Sequence, residues 1–216
     1  MTLHYDLFWS FRSPYSYLVT PRLLDFEKEY DVRCHVRPVY PIAVRLKGFF
    51  KQVNPMWPPY LLKDTARIAA MEGLPYAWPS PDPILMDMKS GEVPEDQPYI
   101  RRLTRLGIAA AETPHGLAFL RETSGVIFGG VRKWHEGDHL KEAAARAGLD
   151  LATLDAAIAR DPDRYEAVIA ENEAAQKAAG HWGVPLMVFE GEPFFGQDRF
   201  DHLKWRMEQK GLKKRG

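Results

Sequence analysis

The sequence predicts an α/β fold that is interrupted by a large helical insertion. Residues 1–40 combine strand and helix patterns, whereas residues 95–180 are alanine-rich and helical in pattern almost throughout. Strand patterns return in residues 181–216. A chain of 216 residues can bury the core of one compact domain that carries an insertion. We therefore expect a discontinuous domain, 1–40 and 181–216, and a helical insertion domain with proline-rich loops, 41–180.

The first 40 residues predict a strand, a helix and a second strand. Apolar residues alternate with more polar ones over residues 3–9, which is typical of a strand. Pro14 suits the first turn of a helix, and the apolar residues after it have helical spacing. Residues 32–39 predict the second strand. A unit of this order and length has parallel strands and a right-handed crossover.

Two proline-rich segments precede the alanine-rich part of the chain. Residues 41–59 contain a cluster of prolines around Met56 and Trp57 and predict an ordered loop, because proline disrupts helix interiors and central strands. A helix is predicted over 60–71, followed by a second loop around Trp78. The alanine-rich part then predicts helices near 96–112, 115–124, 138–147, 151–159 and 162–179.

The C-terminal residues predict a hairpin and a final helix. Strand patterns at 184–189 and 192–195 flank a Glu-Gly dipeptide that suits a tight turn. The last helix is predicted over 199–209, and the lysine-rich residues 210–216 are predicted to be a frayed, solvated end. The whole order, βαβ, a helical block and ββα, is that of a thioredoxin-like fold split by an all-helical insertion.

The start of the first helix carries the strongest functional signal. Ser13 precedes Pro14 and is predicted to be the helix N-cap, where unpaired N–H groups and the helix dipole favour an anion. Thioredoxin-like proteins place a Cys-X-X-Cys motif at this turn, and here both positions are serine, Ser13 and Ser16. Because serine cannot form a disulfide, a dithiol exchange cycle is excluded, and a thiol at this site must arrive with a ligand. Taken alone, a serine before proline is most often a plain N-cap.

Composition and charge narrow the class of protein. Lys plus Arg and Asp plus Glu are equal at 29 each, so no net positive field attracts nucleic acid or an acidic membrane. The N-terminus lacks the pattern of a signal peptide, and no apolar run is long enough to span a bilayer. Cys34 is the only cysteine and cannot form an internal disulfide, which fits a reducing compartment. We expect a cytoplasmic protein without nucleic-acid or membrane partners, in which Cys34 is a buried structural thiol.

Residues 135–139 spell His-Glu-Gly-Asp-His and match the letters of a zinc-protease motif. That motif needs both histidines on one face of a continuous helix. Gly137 and Asp138 predict a break and a new helix start here, and the sequence offers no evident third ligand. We therefore expect no metal site.

Several motifs together resemble one known family. They lie in the order that the family requires and span essentially the whole chain: S-P-Y-S-Y-L from Ser13, Y-L-L-K-D from Tyr60, G-V-P from Gly183 and F-F-G-Q-D-R from Phe194. They resemble the 2-hydroxychromene-2-carboxylate isomerases and the kappa-class glutathione transferases, the glutathione-dependent branch of the DsbA-like thioredoxin superfamily.

The resemblance implies a bound reduced glutathione. Its sulfur would lie against the hydroxyl of Ser13, which matches the catalytic residue. Pro185 matches a cis-proline, and Val184 before it would pair its backbone with the cysteinyl part of the tripeptide. The remaining matches are Gln197 and Asp198 for the γ-glutamyl end, Trp182 as a wall and Asn54 as a polar contact.

The resemblance also implies a reaction. In the isomerases the glutathione thiolate adds reversibly to an unsaturated ring-opened substrate, permits rotation about a former double bond and leaves. We therefore expect a glutathione-dependent isomerase of an unsaturated, aromatic carboxylate, with a small molecule as its partner and a homodimer as its assembly. A kappa-like transferase or peroxidase and a non-enzymatic thioredoxin-like binding module are the alternatives.

Three residues depart from the family pattern near the expected site, and the first is Ser10, which stands where many members have an aspartate. Arg12 stands where many members have an apolar residue, and it could bind a substrate carboxylate or simply face solvent. Trp57 stands where the kappa-class transferases have a lysine for the glycine carboxylate of glutathione. Trp57 and Trp78 could form the walls of a pocket for an aromatic substrate, although ordinary loop packing also explains them.

Overall fold

The strands of the molecule form one mixed sheet. The computed structural model describes residues 2–87 and 89–216. Its strands are β1 (Leu3–Trp9), β2 (Val32–Pro38), β3 (Leu186–Phe189) and β4 (Glu192–Phe195). They lie in the order β2, β1, β3, β4, with β1 parallel to β2 and the other neighbours antiparallel. This is the sheet of a thioredoxin-like fold, so the predicted fold class is confirmed.

The N-terminal βαβ unit forms as predicted. Helix α1 (Pro14–Glu29) connects β1 to β2. Trp9, at the end of β1, is fully buried, and its indole N–H lies 3.1 Å from both the Ser16 carbonyl and the Thr20 hydroxyl. These contacts fix the first turns of α1 against the end of β1, where the candidate site lies.

The insertion consists of helices and their connecting loops. The helices predicted in the alanine-rich part are confirmed, with ends that differ by a few residues. Asp150 and Asp161 cap two of them as predicted, since their carboxylates accept backbone N–H groups at 2.9 and 3.2 Å. The helices are α2 (Ile42–Arg45), α3 (Phe49–Gln52), α4 (Trp57–Met71), α5 (Pro98–Ala111), α6 (Gly116–Phe128), α7 (His139–Arg146), α8 (Leu151–Arg160) and α9 (Pro162–Ala178).

Residues 41–59 are more helical than predicted. They contain α2 and α3, and α4 begins at Trp57 rather than at residue 60. Pro58 and Pro59 occupy the first turn of α4, where a missing N–H has no partner to lose. The prediction of a loop over this whole segment is therefore wrong, because prolines that exclude a helix interior are compatible with a helix start.

The C-terminal hairpin forms with Glu190 and Gly191 at its turn. Both residues have positive φ, 49° and 81°, which matches the twist of an antiparallel hairpin. A 3-10 turn (Gln197–Arg199) and helix α10 (Phe200–Glu208) follow the hairpin. The predicted final helix is thus confirmed, with its first turn wound more tightly.

The lysine-rich tail is docked rather than frayed, contrary to the prediction. The Asp31 N–H donates to the Lys213 carbonyl at 2.8 Å. The Arg215 N–H donates to the Glu29 carbonyl at the same distance, 2.8 Å. The tail therefore lies where α1 ends and β2 begins. Because backbone groups make these bonds, the residue composition of the tail does not reveal them.

Two hydrophobic clusters cover the two faces of the sheet. The larger cluster continues from β1 into the insertion and includes Leu7, Phe11 and Phe119. The smaller cluster is centred on Phe8 and Leu186 and is covered by residues of α9. Helix α9 therefore lies against the sheet beside the segment that leads into β3. Within the described residues, no helix combines the length and the apolarity needed to cross a bilayer.

Candidate functional site

Ser13 caps α1 and links it to the segment before β3. Its backbone is extended, with φ −94° and ψ 111°, and its hydroxyl oxygen accepts the N–H of Ser16 at 3.2 Å. The hydroxyl donates to the carbonyl of Val184 at 3.3 Å. The side chain is only partly buried. An anion beside it would receive a hydrogen bond at the positive end of the helix dipole.

The Val184–Pro185 peptide bond is cis and lies beside Ser13. The Pro185 carbonyl accepts the N–H of Gly196 at 2.9 Å, which continues the pairing of β3 with β4. The N–H of Val184 donates to no acceptor in the part of the chain that the structure describes. Val184 therefore has an N–H without an acceptor among the described residues, and its carbonyl contacts the Ser13 hydroxyl.

The residues just before Val184 carry a stack of rings. His181 stacks on Phe195 with 3.8 Å between ring centroids, and Trp182 stacks on His181 at 5.5 Å. Trp182 is 57% exposed, so its ring is free to act as a wall. Gly183 is required for this packing, because a Cβ there would meet the Phe195 ring and lie 3.0 Å from His181 Cε1. Burial lowers the pKa of His181 from its ordinary value of 6.5.

Gln197 and Asp198 lie in the 3-10 turn that follows β4. This turn packs against α1, the helix that Ser13 caps. Gly196, whose N–H donates to the Pro185 carbonyl, has a φ of 102°. A Cβ at this position would lie 2.6 Å from Asp198 Oδ1. The Asp198 carboxylate also pairs with the neighbouring Arg199 at 3.2 Å. The structure therefore connects the predicted γ-glutamyl residues to the cis-proline segment through Gly196.

Asn54 and Trp57 lie on the proline-rich side, and their contacts are local. Asn54 Oδ1 accepts the N–H of Met56 at 3.0 Å. Trp57 is 43% exposed and meets Phe49 edge to face at 6.3 Å between centroids. In the described residues, neither side chain has a hydrogen bond or ring contact with Ser13. These two predicted site residues are thus not joined to Ser13 by direct contact.

Arg12 binds Asp82, and the expectation that its side chain could simply face solvent is wrong. Its Nε and Nη2 donate to the two carboxylate oxygens at 2.8 and 2.9 Å, and the side chain is only 14% exposed. The guanidinium lies 5.2 Å from the ring centroid of Phe50 and 5.8 Å from that of Trp78. Arg12 thus ties both proline-rich segments to the Ser13 turn. Sequence reasoning missed Asp82, since no spacing rule pairs residues 70 positions apart.

A second contact joins the Ser13 turn to α4. The Tyr15 hydroxyl donates to one oxygen of Asp64 at 2.8 Å, and the Tyr60 hydroxyl donates to the other at 3.4 Å. Burial and the Asp64 carboxylate raise the pKa of Tyr15, so its hydroxyl is a neutral donor near pH 7. The Y-L-L-K-D block is therefore connected to α1 through its aspartate.

Cys34 lies in β2 and not at the start of α1. Burial raises the pKa of its thiol, which keeps it protonated and a poor nucleophile. Its backbone N–H donates to Glu27 Oε1 at 2.7 Å. Cys34 therefore has the properties of a structural residue.

The two histidines of the zinc-protease letters do not share a helix. His135 lies in a turn, and His139 is the first residue of α7. The His135 ring packs on Tyr99 with 4.6 Å between centroids. Across residues 2–87 and 89–216, no group of three or more His, Cys, Asp or Glu side chains is placed to hold a metal ion.

Comparison with known proteins identifies the family. The model of the DSBA-like thioredoxin domain matches residues 5–208, nearly the full chain. The chain belongs to this family. In this DsbA-like domain, Ser13 and Ser16 lie at the start of α1. The predicted superfamily is therefore confirmed.

Solved structures of similar fold cover the DsbA-like domain almost completely. A 2-hydroxychromene-2-carboxylate isomerase is 20% identical, with a TM-score of 0.71 over 96% of this chain and 95% of that chain. A probable DsbA oxidoreductase from Streptomyces coelicolor is 19% identical, with a TM-score of 0.65 over 96% and 89%. The cytosolic disulfide reductase DsbM from Pseudomonas aeruginosa, in a structure with GSH, is 17% identical, with a TM-score of 0.59 over 95% and 100%. A comparison with curated proteins finds no match.

Proposed function

We propose that this DsbA-like domain is a glutathione-dependent isomerase of a small unsaturated, aromatic carboxylate. The observation that carries the proposal is the Ser13 hydroxyl, which caps α1 and reaches the Val184 carbonyl at 3.3 Å. Neither Ser13 nor Ser16 can form a disulfide, and Cys34 is the only cysteine of the chain. An intramolecular dithiol cycle is therefore excluded, and the thiol that this site can use is one that arrives with a ligand.

The Ser13 turn supplies what a bound thiolate needs. A hydroxyl donor and a helix N-terminus both stabilise the charged form of a thiol over its neutral form, so they lower its pKa. The present bond from Ser13 to a carbonyl is long, at 3.3 Å, and can be exchanged for a charge-assisted bond to sulfur. A larger fraction of the thiol would then be nucleophilic at neutral pH.

Val184 offers backbone groups that suit a tripeptide. Its N–H donates to no acceptor in the described residues, and its carbonyl receives only the long bond from Ser13 among the described side chains. An extended ligand segment can pair with such a residue as an added strand does. The cysteinyl residue of glutathione carries one N–H and one carbonyl, so the residues present fit this ligand.

Side chains around this pair would hold the two ends of glutathione. Gln197 and Asp198 would bind the γ-glutamyl end from the turn that packs against α1. The exposed ring of Trp182 would form a wall. Asn54 would add a polar contact through its side-chain N–H groups, since its Oδ1 already accepts the N–H of Met56.

The proline-rich side would bind the substrate. Trp57 and Trp78 are 43% and 38% exposed, and apolar walls suit an aromatic ligand. Arg12 would bind the substrate carboxylate in place of Asp82. Bound glutathione would supply a thiolate that adds to a conjugated double bond, with the electron pair moving to a carbonyl oxygen, and that leaves after rotation. Ser13 would stabilise the thiolate before addition and after release.

Two of the similar structures support the proposal. One is a 2-hydroxychromene-2-carboxylate isomerase, and another is a disulfide reductase in a structure with GSH. These activities and ligands are those of the other proteins, and the serine pair of this chain favours the first over the second. A cytoplasmic location is part of the proposal, because thiols are kept reduced there.

Titration calorimetry with reduced glutathione tests the cofactor. We expect binding at millimolar glutathione by the wild type and by Ser16→Ala. Ser16 is a matched control, because its hydroxyl is buried and has no partner within the described residues. Absence of binding by the wild type at millimolar concentration would contradict the proposal.

Ser13→Ala distinguishes the candidate functions. An isomerase should lose both its rate and the thiolate absorbance of bound glutathione in this variant. If the protein is a non-enzymatic binding module, Ser13→Ala should bind its partner with the same affinity as wild type. Accumulation of a stable glutathione conjugate, in place of a rearranged product free of glutathione, would instead identify the transferase.

A further inference from the structure

A buried side-chain network holds the two residues that precede Val184. Gln176, in α9, is fully buried, and its Nε2 donates to the Gly183 carbonyl at 2.7 Å. Its Oε1 accepts from Arg45 Nη1 at 2.9 Å. Arg45, in α2, also donates through Nη2 to the Trp182 carbonyl at 2.9 Å. Gln176 and Arg45, both in the insertion, thus donate hydrogen bonds to the carbonyls of two consecutive residues.

A residue of the same segment also bonds to Gly183. The Gly183 N–H donates to Nδ1 of His181 at 2.9 Å. Gly183 therefore has both of its backbone polar groups occupied by side chains. The Val184 N–H, in contrast, donates to no acceptor in the described residues. Of these two neighbouring residues, only Val184 has an N–H without an acceptor among the described residues.

The chemistry of each side chain suits this role. A glutamine amide carries both a donor and an acceptor, so Gln176 can serve the Gly183 carbonyl and Arg45 at once. The arginine fork reaches two acceptors in fixed directions, which a lysine cannot do. Glu173 lies 4.0 Å from Arg45 Nε and balances its partly buried charge. An unpaired buried carbonyl is unfavourable, so removing Gln176 should displace the segment.

We propose that Gln176 and Arg45 are positioning residues of the glutathione site. They fix Trp182 and Gly183 so that Val184 directs its free N–H toward the bound peptide. Gln176 also occupies the Gly183 carbonyl, which would otherwise compete for a peptide N–H. The inference rests on the proposed function, since the peptide is glutathione. It adds that affinity for the ligand depends on α9 and α2, which are elements of the insertion.

Two variants of Gln176 separate its two bonds. Gln176→Leu leaves the Gly183 carbonyl and one Arg45 donor without partners. Gln176→Glu keeps an acceptor for Arg45 but offers no N–H to the Gly183 carbonyl. We expect both variants to bind reduced glutathione about tenfold more weakly in calorimetry, which corresponds to the loss of one buried hydrogen bond. Arg45→Lys, which keeps the charge but loses the fork, should have a similar effect.

Asn172 provides the matched control. It lies one turn earlier on α9, is also buried, and donates its side-chain N–H to the Pro38 carbonyl at 3.1 Å. Asn172→Leu should lower stability to a similar extent but leave the affinity for glutathione unchanged. The pKa of the bound thiol should be the same in all variants, because Ser13 determines it.

Hydrogen–deuterium exchange of the ligand-free full chain tests the positioning itself. In peptides that cover residues 181–184, backbone amides should exchange faster in the Gln176 variants than in wild type. In Asn172→Leu their exchange rate should equal that of wild type. Unchanged exchange in the Gln176 variants, or an equal increase in Asn172→Leu, would overturn the inference. If wild-type protein binds glutathione and the Gln176 variants bind it equally well, only this inference fails. If the wild type binds none, the proposed function fails and the inference falls with it.

Discussion

The two sides of the Ser13 turn are built in different ways. On one side, residues 182–184 are fixed by side chains such as Gln176, which is fully buried. On the other side, Asn54 and Trp57 are exposed and make local contacts. Backbone groups in fixed positions suit a peptide ligand, whereas exposed rings suit an aromatic one. Under the proposed function, the contrast predicts that affinity for glutathione and choice of substrate can change independently.

Gly183→Ala should disturb residues 182–184, the fixed side of the Ser13 turn, more than any other change considered. The added Cβ would meet the Phe195 ring and His181, so the segment must shift. We expect a loss of about 1–3 kcal/mol in the free energy of unfolding, measured with urea, and a fall of more than about tenfold in glutathione affinity. Adding Phe195→Ala, which removes the ring, should restore part of the stability. A Gly183→Ala protein with wild-type affinity would show that the segment does not need this packing.

Arg12→Met should disturb the proline-rich side alone. It leaves the Asp82 carboxylate, 24% exposed, without its guanidinium partner. We expect a loss of about 1–3 kcal/mol in the free energy of unfolding, because the bidentate pair is mostly buried although both groups keep some contact with water. The glutathione dissociation constant should stay within about twofold of wild type, since Val184, Gln197 and Asp198, which would hold most of the peptide, lie away from Asp82 in the segments after α9. A loss of affinity as large as that of Gly183→Ala would show that the two sides are not independent.

Acid should lower the stability of the protein through His181, which holds the segment of residues 181–184. We expect this effect to be smaller than those of Gly183→Ala and Arg12→Met. Nδ1 of His181 accepts the Gly183 N–H at 2.9 Å, and burial lowers the pKa of the ring from 6.5. The unfolded chain takes up this proton more readily, so the contribution of His181 is complete above about pH 6.5 and is lost as the pH falls through the lowered pKa. His181→Asn places a non-titrating oxygen near the same position. Urea midpoints at about pH 7.5 and pH 5 should differ less in His181→Asn than in wild type, and equal differences would contradict this role.

Local patterns predict the fold, and the family resemblance singles out Ser13 and Val184, which the structure brings together. The strands and long helices follow from residue periodicity, and Ser13, Val184 and Pro185 stand at boundaries between elements. Such boundaries leave backbone groups unpaired, so their residue types are distinctive in sequence. The predicted start of α4, residue 60, lies after the observed start at Trp57, because prolines are equally typical of loops and of first helical turns.

Contacts between distant side chains could not be predicted in the same way. The pair of Arg12 with Asp82 spans 70 positions, and that of Arg45 with Gln176 spans 131. No periodicity or local propensity relates such residues, since the pairing depends on how packed helices meet. The docking of the tail on the end of α1 is also not predictable from local pattern, because backbone groups far apart in sequence make its bonds.

The most direct test concerns the stabilisation of a bound thiolate by the Ser13 hydroxyl. The ultraviolet absorbance of the thiolate can be followed against pH with saturating glutathione in wild type, Ser13→Ala and Ser16→Ala. We expect the bound thiol to ionise well below its ordinary pKa of about 8.5 in wild type and in Ser16→Ala. In Ser13→Ala its pKa should return toward that value. The same thiol pKa in wild type and Ser13→Ala would contradict the role assigned to Ser13.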